Sequence, residues 1–253
     1  MPDARVPLTV VIPTLNEAHN IAACVASVGF ADEVIVADGG STDGTVEAAR
    51  GAGATVLEGT GPTIAAQRNA AIAVARNPWI LAVDADERVS PELATELASV
   101  IAAPAHAAYR VRCRNFYLGV EQTRGSWARD WHARLFSRDR RFVERRVHEG
   151  LEPVDDVGAL EGTLLHHPYR SLRHHLEKMI RYSEWGAAEL YERGRRASWS
   201  DLALRPLVRF VKSYVVGGGI LGGRSGLVHS VLDAYAGFLK YANLWAMERT
   251  RKD

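Results

Sequence analysis

At 253 residues, with 47% hydrophobic and 24% charged residues, the chain can bury one sizeable core plus a small appendage and reads as a soluble, enzyme-sized domain. A net charge of +1 argues against a protein steered globally to nucleic acid, and two cysteines, Cys24 and Cys113, give neither a disulfide framework nor a thiolate metal site. The first residues lack a basic segment followed by a long apolar stretch, so the expected location is the cytoplasm.

In chain order, residues 7–12 read as a strand and 17–28 as a helix with Ile21, Cys24, Val25 and Val28 on one face. A strand over 33–37, a helix over 42–51, a short strand over 54–57 and an Ala-rich helix over 62–76 follow. The apolar run 79–83 is a further strand, and Ser90-Pro91-Glu92 opens a helix with an N-cap serine and a proline in its first turn. Strands alternating with helices predict an α/β layer, a mostly parallel sheet covered on both faces.

In such sheets ligands sit beyond the carboxyl ends of the strands. Three polar loops fall there: Pro13-Thr14-Leu15-Asn16-Glu17, Asp38-Gly39-Gly40-Ser41-Thr42-Asp43-Gly44-Thr45 and Asp84-Ala85-Asp86-Glu87. Singly, the first two could be helix caps or tight turns. Asp84 and Asp86 are harder to dismiss, because two carboxylates flanking one alanine repel each other unless a cation or cationic substrate waits between them. Together the loops point to a metal–diphosphate site for a nucleotide.

The run Val10-Val11-Ile12-Pro13-Thr14-Leu15-Asn16-Glu17, the turn 38–45, Arg68-Asn69 and Asp84-Ala85-Asp86 resemble glycosyltransferase family 2. Arg134-Leu135-Phe136, Val147-His148-Glu149 and the run 165–170 are similar to the lipopolysaccharide-core glucosyltransferases of that family. The resemblance implies a GT-A fold, a nucleotide-sugar donor, Mg2+ or Mn2+, and inversion at the anomeric carbon. It places Glu17 and Asp38 on the ribose and base, Thr14 at the pocket wall with Pro13, Asn16 and Gly39 in the same loops, and Arg68 on the uracil or phosphates. Asp84 would touch the ribose or a donor-sugar hydroxyl, and Asp86 would bind the metal.

Adjacent histidines on a strand point to opposite faces, so only one of His166 and His167 can look into such a site; His166 is the metal-ligand candidate, against an ordinary hydrogen-bonded role. A hydroxyl acceptor needs a general base, for which Glu149 is the candidate, with Asp155 and Asp156 as competitors and a surface pair with Arg145 or Arg146 as the alternative role. Eleven arginines between Arg110 and Arg146, interleaved with Phe116, Tyr117, Trp127, Trp131 and Phe136, suit a phosphorylated glycolipid, although RNA would fit the same list.

The sequence divides into a catalytic domain, 1–168, and a helical region, 169–253. The latter carries a helix capped by Ser171, a break at Gly194, a second helix from Asp201 with Pro206 near its start, and a last helix over 225–248 after the glycines at 217–219, 222 and 223. No stretch there reaches the ~20 uninterrupted apolar residues that span a bilayer. A basic apolar helix of this kind suits peripheral contact with an anionic membrane, or else packing on the catalytic domain or another subunit. The expected activity is metal-dependent transfer of a hexose, glucose from UDP-glucose, to a lipopolysaccharide-core-like glycolipid. The competing readings are a polyprenyl-phosphate glycosyltransferase and a nucleotide-sugar-binding protein without catalysis.

Overall fold

The structure, a computed structural model, describes residues 5–124, 126–143 and 150–250. They form two compact units, Met1–Arg114 with Asp130–His166, and Asn115–Arg129 with His167–Asp253. The segment 115–129 therefore clusters with the C-terminal helices and not with the strands that precede it.

Chain order runs β1 (Val6–Thr14), α1 (Ile21–Ser27), β2 (Ala31–Asp38), α2 (Thr45–Gly51), β3 (Thr55–Leu57), α3 (Ile64–Val74), β4 (Trp79–Ala82), β5 (Glu87–Val89) and α4 (Pro91–Ala102). It continues through β6 (Ala108–Tyr117), β7 (Val120–Glu121), β8 (Asp130–Ser137), β9 (Phe142–Val143), β10 (Gly150–Leu151) and β11 (Val157–Tyr169). The main sheet has the order β3-β2-β1-β4-β8-β6-β11-β5, with β7 on the end of β6, while β9 and β10 make a separate ribbon. The first four strands are parallel; β8 is antiparallel to both β4 and β6, and β5 is antiparallel to β11.

Burial follows this topology. β1 is buried almost end to end, as a central strand covered on both faces must be, whereas β6 alternates buried and exposed positions. Along β1 the period of two sends Leu8, Val10 and Ile12 into one cluster with Ile21, Val25 and Leu97. Val11 goes to the opposite cluster with Ala65, Ile72 and Phe136.

Two helices begin later than their apolar spacing predicts. Asn16 adopts a left-handed backbone (φ 57°), and Asn20 and Ile21 both donate to the Glu17 carbonyl, so residues 16–20 close a turn before α1. Gly44 (φ 83°) likewise delays α2 to Thr45. Ser90 caps α4 by accepting from the Leu93 amide at 3.2 Å, with proline next, as the sequence predicts.

The second unit packs α5 (Leu172–Glu192) and α6 (Trp199–Val211) on α7 (Gly223–Thr250) around Ala187, Tyr241 and Leu244. A capping box of Ser198 and Asp201 starts α6 two residues before the expected Asp201, and a π-helical turn, Lys212–Val216, follows it. Tyr169 stacks on His175 at 3.8 Å, and burial beside His229 and Lys178 pushes His175 down to about 4, leaving it neutral. Among the described residues no helix is long and apolar enough to cross a membrane.

Gly162 on β11 lies against α4, where an added Cβ would sit 2.4 Å from Leu93 Cα and 2.6 Å from its amide nitrogen. Backbone cannot yield as a flexible side chain does. Gly162→Ala is therefore expected to cost about 2 kcal/mol, read as a lower urea midpoint with an unchanged slope.

Candidate active site

Because β1, β2 and β4 are parallel, their carboxyl ends share one edge. Thr14 pairs with Asp38 in register, and the Val83 amide donates to the Val11 carbonyl at 3.1 Å, which holds the chain after β4 beside them. The three polar loops thus leave the sheet on the same side.

The first two loops are tied together by side-chain-to-backbone bonds. The Asn16 amide donates to Ser41 Oγ (2.8 Å), the Thr42 amide to Asn16 Oδ1 (2.8 Å), the Glu17 amide to Thr45 Oγ1 (2.9 Å) and the Ala18 amide to Asp43 Oδ2 (3.2 Å). Buried Asp38 holds its own turn, accepting from the Gly40 and Ser41 amides at 2.8 Å each and from the Ser41 hydroxyl. Gly39 packs closely there: a Cβ would meet Gln67 Nε2 at 2.2 Å and displace that side chain. Pro13 is buried on β1, and Glu17 is half-buried, accepting from Asn20 Nδ2 at 2.8 Å. Thr14 Oγ1 is buried and has no hydrogen-bond partner among the described residues.

The Asp84-Ala85-Asp86 segment lies in the turn between β4 and β5, closed by the Glu87 amide on the Asp84 carbonyl at 2.9 Å. Arg68 of α3 donates to Asp84 Oδ1, and Arg134 of β8 donates to Asp84 Oδ2 at 2.9 Å and to Glu87 Oε1 at 2.5 Å. Glu87 Oε2 accepts from the Asp84 amide at 2.8 Å. Burial alone would raise the Asp84 carboxyl, but the Arg134 and Arg68 guanidiniums hold it far below the usual carboxylate range. Glu87 moves the other way, pushed up by burial and by Asp84 against the opposing pull of Arg134.

Asp86, 7% exposed, faces a different partner: His166 Nε2 lies 3.5 Å from its Oδ1. The contact follows from strand pairing, because β11 runs antiparallel to β5 and sets His166 opposite Glu87. Burial would lower the His166 pKa, but the hydrogen bond and charge of Asp86, then Glu87 and Asp84, raise it. His167 stacks on Phe116 at 4.7 Å.

Glu149, with Arg145, Arg146 and His148, lies outside the described residues. Asp156 pairs with His106 at 2.6 Å and accepts from the Ala107 amide at the start of β6. That strand start is in register with Phe136 and so with Ile80, at the amino-terminal edge of the parallel strands. Asp155 and Asp156 therefore stand at the edge opposite the three loops. Arg134, expected among the acceptor-side cations, is 6% exposed and committed to Asp84 and Glu87. Arg110 lies over Trp131 at 5.3 Å, and Arg138 donates to the Ala75 and Arg76 carbonyls.

The sequence profile of the family described as Glycosyl transferase family 2 matches residues 9–152, more than half of the chain. The chain belongs to glycosyltransferase family 2. It is 30% identical over 250 residues to the lipopolysaccharide core biosynthesis glycosyltransferase LpsC of Rhizobium meliloti, covering 95% of this chain and 93% of that one. An uncharacterized glycosyltransferase of Rickettsia typhi is 30% identical over 92% of this chain and 85% of its own. Among solved structures, TarS of S. aureus (residues 1–349) is 15% identical, with a TM-score of 0.46 over 97% of this chain and 91% of that chain. Glucosyl-3-phosphoglycerate synthase from Mycobacterium tuberculosis, solved with Mn2+, uridine-diphosphate and phosphoglyceric acid, is 25% identical over 44% of this chain and 43% of that one, with a TM-score of 0.37. The protein is thus a glycosyltransferase, and its sheet has the α/β layout, parallel over its first four strands, that the motifs imply.

For this family-2 enzyme the donor chemistry of the site decides where a divalent ion fits. Both Asp84 oxygens already meet guanidiniums, so Asp84 is poorly suited to be a ligand. Asp86 and His166 offer a carboxylate oxygen and an imidazole nitrogen side by side, a donor pair that fits Mg2+ through the oxygen and Mn2+ through both. A second group, Cys113, Asp130 and His132, has ligand atoms within 4.8 Å of one another. Burial and the nearby Glu87 push the Cys113 thiol up, which keeps it protonated, and His132 Nε2 already pairs with Asp130 Oδ1 at 2.8 Å.

Sequence reading missed Glu87 and the inward role of Arg134; the only signal was that a third carboxylate directly after two others demands buried compensation. Arg134→Met leaves Asp84 and Glu87 with one guanidinium between them and is expected to cost roughly 3 kcal/mol at neutral pH. Asp84, depressed in the folded protein, contributes stability above its unfolded value of about 4 and loses it as pH falls through the folded one. Without Arg134 its carboxyl takes up a proton more readily, so the deficit against wild type, measured by urea unfolding, should shrink as pH is lowered.

Proposed function

We propose that this glycosyltransferase inverts at the anomeric carbon and moves glucose from UDP-glucose onto a sugar hydroxyl of a phosphorylated, lipopolysaccharide-core-like glycolipid, with Mg2+ or Mn2+ at Asp86. The observation that carries the reading is the Asp86–His166 pair at the strand edge that also holds the partnerless Thr14 hydroxyl. A buried hydroxyl without a partner is costly, so a polar ligand group at that edge would satisfy it. The acceptor class is supported by the full-length match to the Rhizobium enzyme named for lipopolysaccharide core biosynthesis.

In this reading Pro13, Thr14, Asn16, Glu17, Asp38 and Gly39 form the nucleoside wall, pre-shaped by the bonds that tie the first two loops. Arg68 and Arg134 keep Asp84 ionised and hold the turn that presents Asp86. Arg68 sits over the Phe142 ring at 4.6 Å, which fixes its guanidinium plane. Bound at Asp86 and His166, a divalent ion supplies charge compensation for the departing nucleoside diphosphate. Glu149 removes the proton of the acceptor hydroxyl on the opposite face of the sugar. Because the acceptor is a lipid, the enzyme works as a peripheral protein at the cytoplasmic membrane face.

Thermal shift with UDP-glucose and Mn2+ or Mg2+ tests the donor half: ion-dependent stabilisation of about 2.7 kcal/mol is expected at a hundredfold excess over Kd. Asp86→Ala should abolish the ion dependence and the release of UDP, and unchanged turnover would remove the metal from the site. Glu149→Gln should stop transfer while leaving donor binding nearly intact; transfer at the wild-type rate would assign the base elsewhere. Since the ion competes with the proton that Asp86 stabilises on His166, apparent ion affinity should weaken up to about tenfold per pH unit below the His166 pKa.

A further inference from the structure

Helix α6 presents an apolar stripe that nothing in its own unit covers. Leu204, Val208, Val211 and Val215 recur at spacings of four, three and four, and Leu207 and Val216 widen the stripe; each is at least half exposed. Trp199 at the start of the helix is 87% exposed, and Ile220 and Leu221 extend the surface beyond the π-helical turn. The packed face is the other one: Leu202 joins the cluster of Ala187, Tyr241 and Leu244, and along its border Asp201 is buried under Arg195 and Arg205 while Arg209 reaches Asp233 of α7 at 2.7 Å. So the stripe is not the core side of the helix.

Beside the stripe opens a cleft of about 1040 Å3 whose lining includes Arg124, Arg205, Arg209, Lys212 and Lys240, with Asp233 as its one acidic residue. Arg209 takes that carboxylate, and no carboxylate among the described residues pairs with Lys212, Lys240 or Arg124. Burial, with Arg209 and Arg205 nearby, pulls the Lys240 ammonium below its ordinary value, a strain that an anion would relieve. Leu204, Val208, Val216 and Leu221 share the same lining, so the cleft joins cations to apolar walls. A two-fold contact with a second copy through this face would set its excess positive charge against itself.

We propose that α6 and the turns after it, residues 199–222, dock on a bilayer of anionic phospholipid, the apolar stripe entering the headgroup–acyl boundary and the cleft cations holding lipid phosphate. A helix that is apolar on one side, flanked by cations and too short to span is suited to lie in the interface. The assignment rests on the glycolipid reading for its purpose, since an enzyme held at the leaflet meets an acceptor that cannot leave it.

The test is co-sedimentation of the full chain with phosphatidylcholine vesicles, with and without phosphatidylglycerol, at low and high salt. Wild type should bind the phosphatidylglycerol vesicles and be released by salt. Leu207→Glu combined with Val211→Glu should bind at least about tenfold more weakly, and Lys212→Glu about tenfold. The double variant should keep the wild-type melting temperature and the wild-type rate of UDP release from UDP-glucose. No binding by wild type, equal binding by the variants, or indifference to phosphatidylglycerol would overturn the proposal. A wild-type dimer that the double variant turns monomeric, without vesicle binding, would give the face to a second copy. Vesicle binding is read without turnover, so failure to release UDP would sink the donor assignment alone.

Discussion

The site depends on a set of paired charges. Half-buried Asp84 lies between the buried Arg68 and Arg134, and Arg134 reaches on to buried Glu87, so two carboxylates and two guanidiniums offset one another. Each charge would be expensive alone. Because the members come from α3, the turn after β4, the start of β5 and strand β8, the set is also a mechanical clamp. It fixes the turn that carries Asp86 and ties the parallel half of the sheet to the antiparallel half.

That clamp explains why two aspartates two residues apart have different surroundings. Asp84 is spent on positive charge that the protein itself supplies, and its carboxyl is held ionised for that reason. Asp86, on the other side of Ala85, meets an imidazole delivered from eighty residues away by the pairing of β11 with β5. An imidazole differs from a guanidinium in that it can give up its proton near neutral pH. The proposed exchange of that proton for a divalent ion needs such a partner, and an arginine at the same place would block it.

The first hundred residues were legible because their signals are local. A continuous apolar run means a strand buried on both faces, and polar loops after such strands fall on the carboxyl edge. Helix starts were misjudged where a loop side chain caps a distant amide: Asn16 and Asp43 bind across to the neighbouring loop, and the residues before α1 and α2 are spent on that contact. What no local pattern carries is strand order. Arg134 sits in a stretch of exposed-looking arginines, and only the pairing of β8 with β4, Leu135 beside Leu81, brings it to Asp84. Asp156 shows the converse, an acidic residue near the expected base in sequence but at the far edge of the sheet.

The C-terminal helices were ambiguous for a related reason. An amphipathic pattern states that a helix has two faces without saying which is covered, and a stripe of Leu and Val reads the same whether it meets α7 or a lipid. In α6 the packed side holds Leu202 together with groups a sequence reader would place in solvent: buried Asp201, with Arg205 against the Tyr241 ring and Arg209 on Asp233. Aspartate in the capping box costs little to bury because the Ser198 amide and hydroxyl and two arginines satisfy it. Once Leu202 and these polar groups hold the inner face, the apolar stripe is left outside, and its exposure is a consequence of how the helix is anchored.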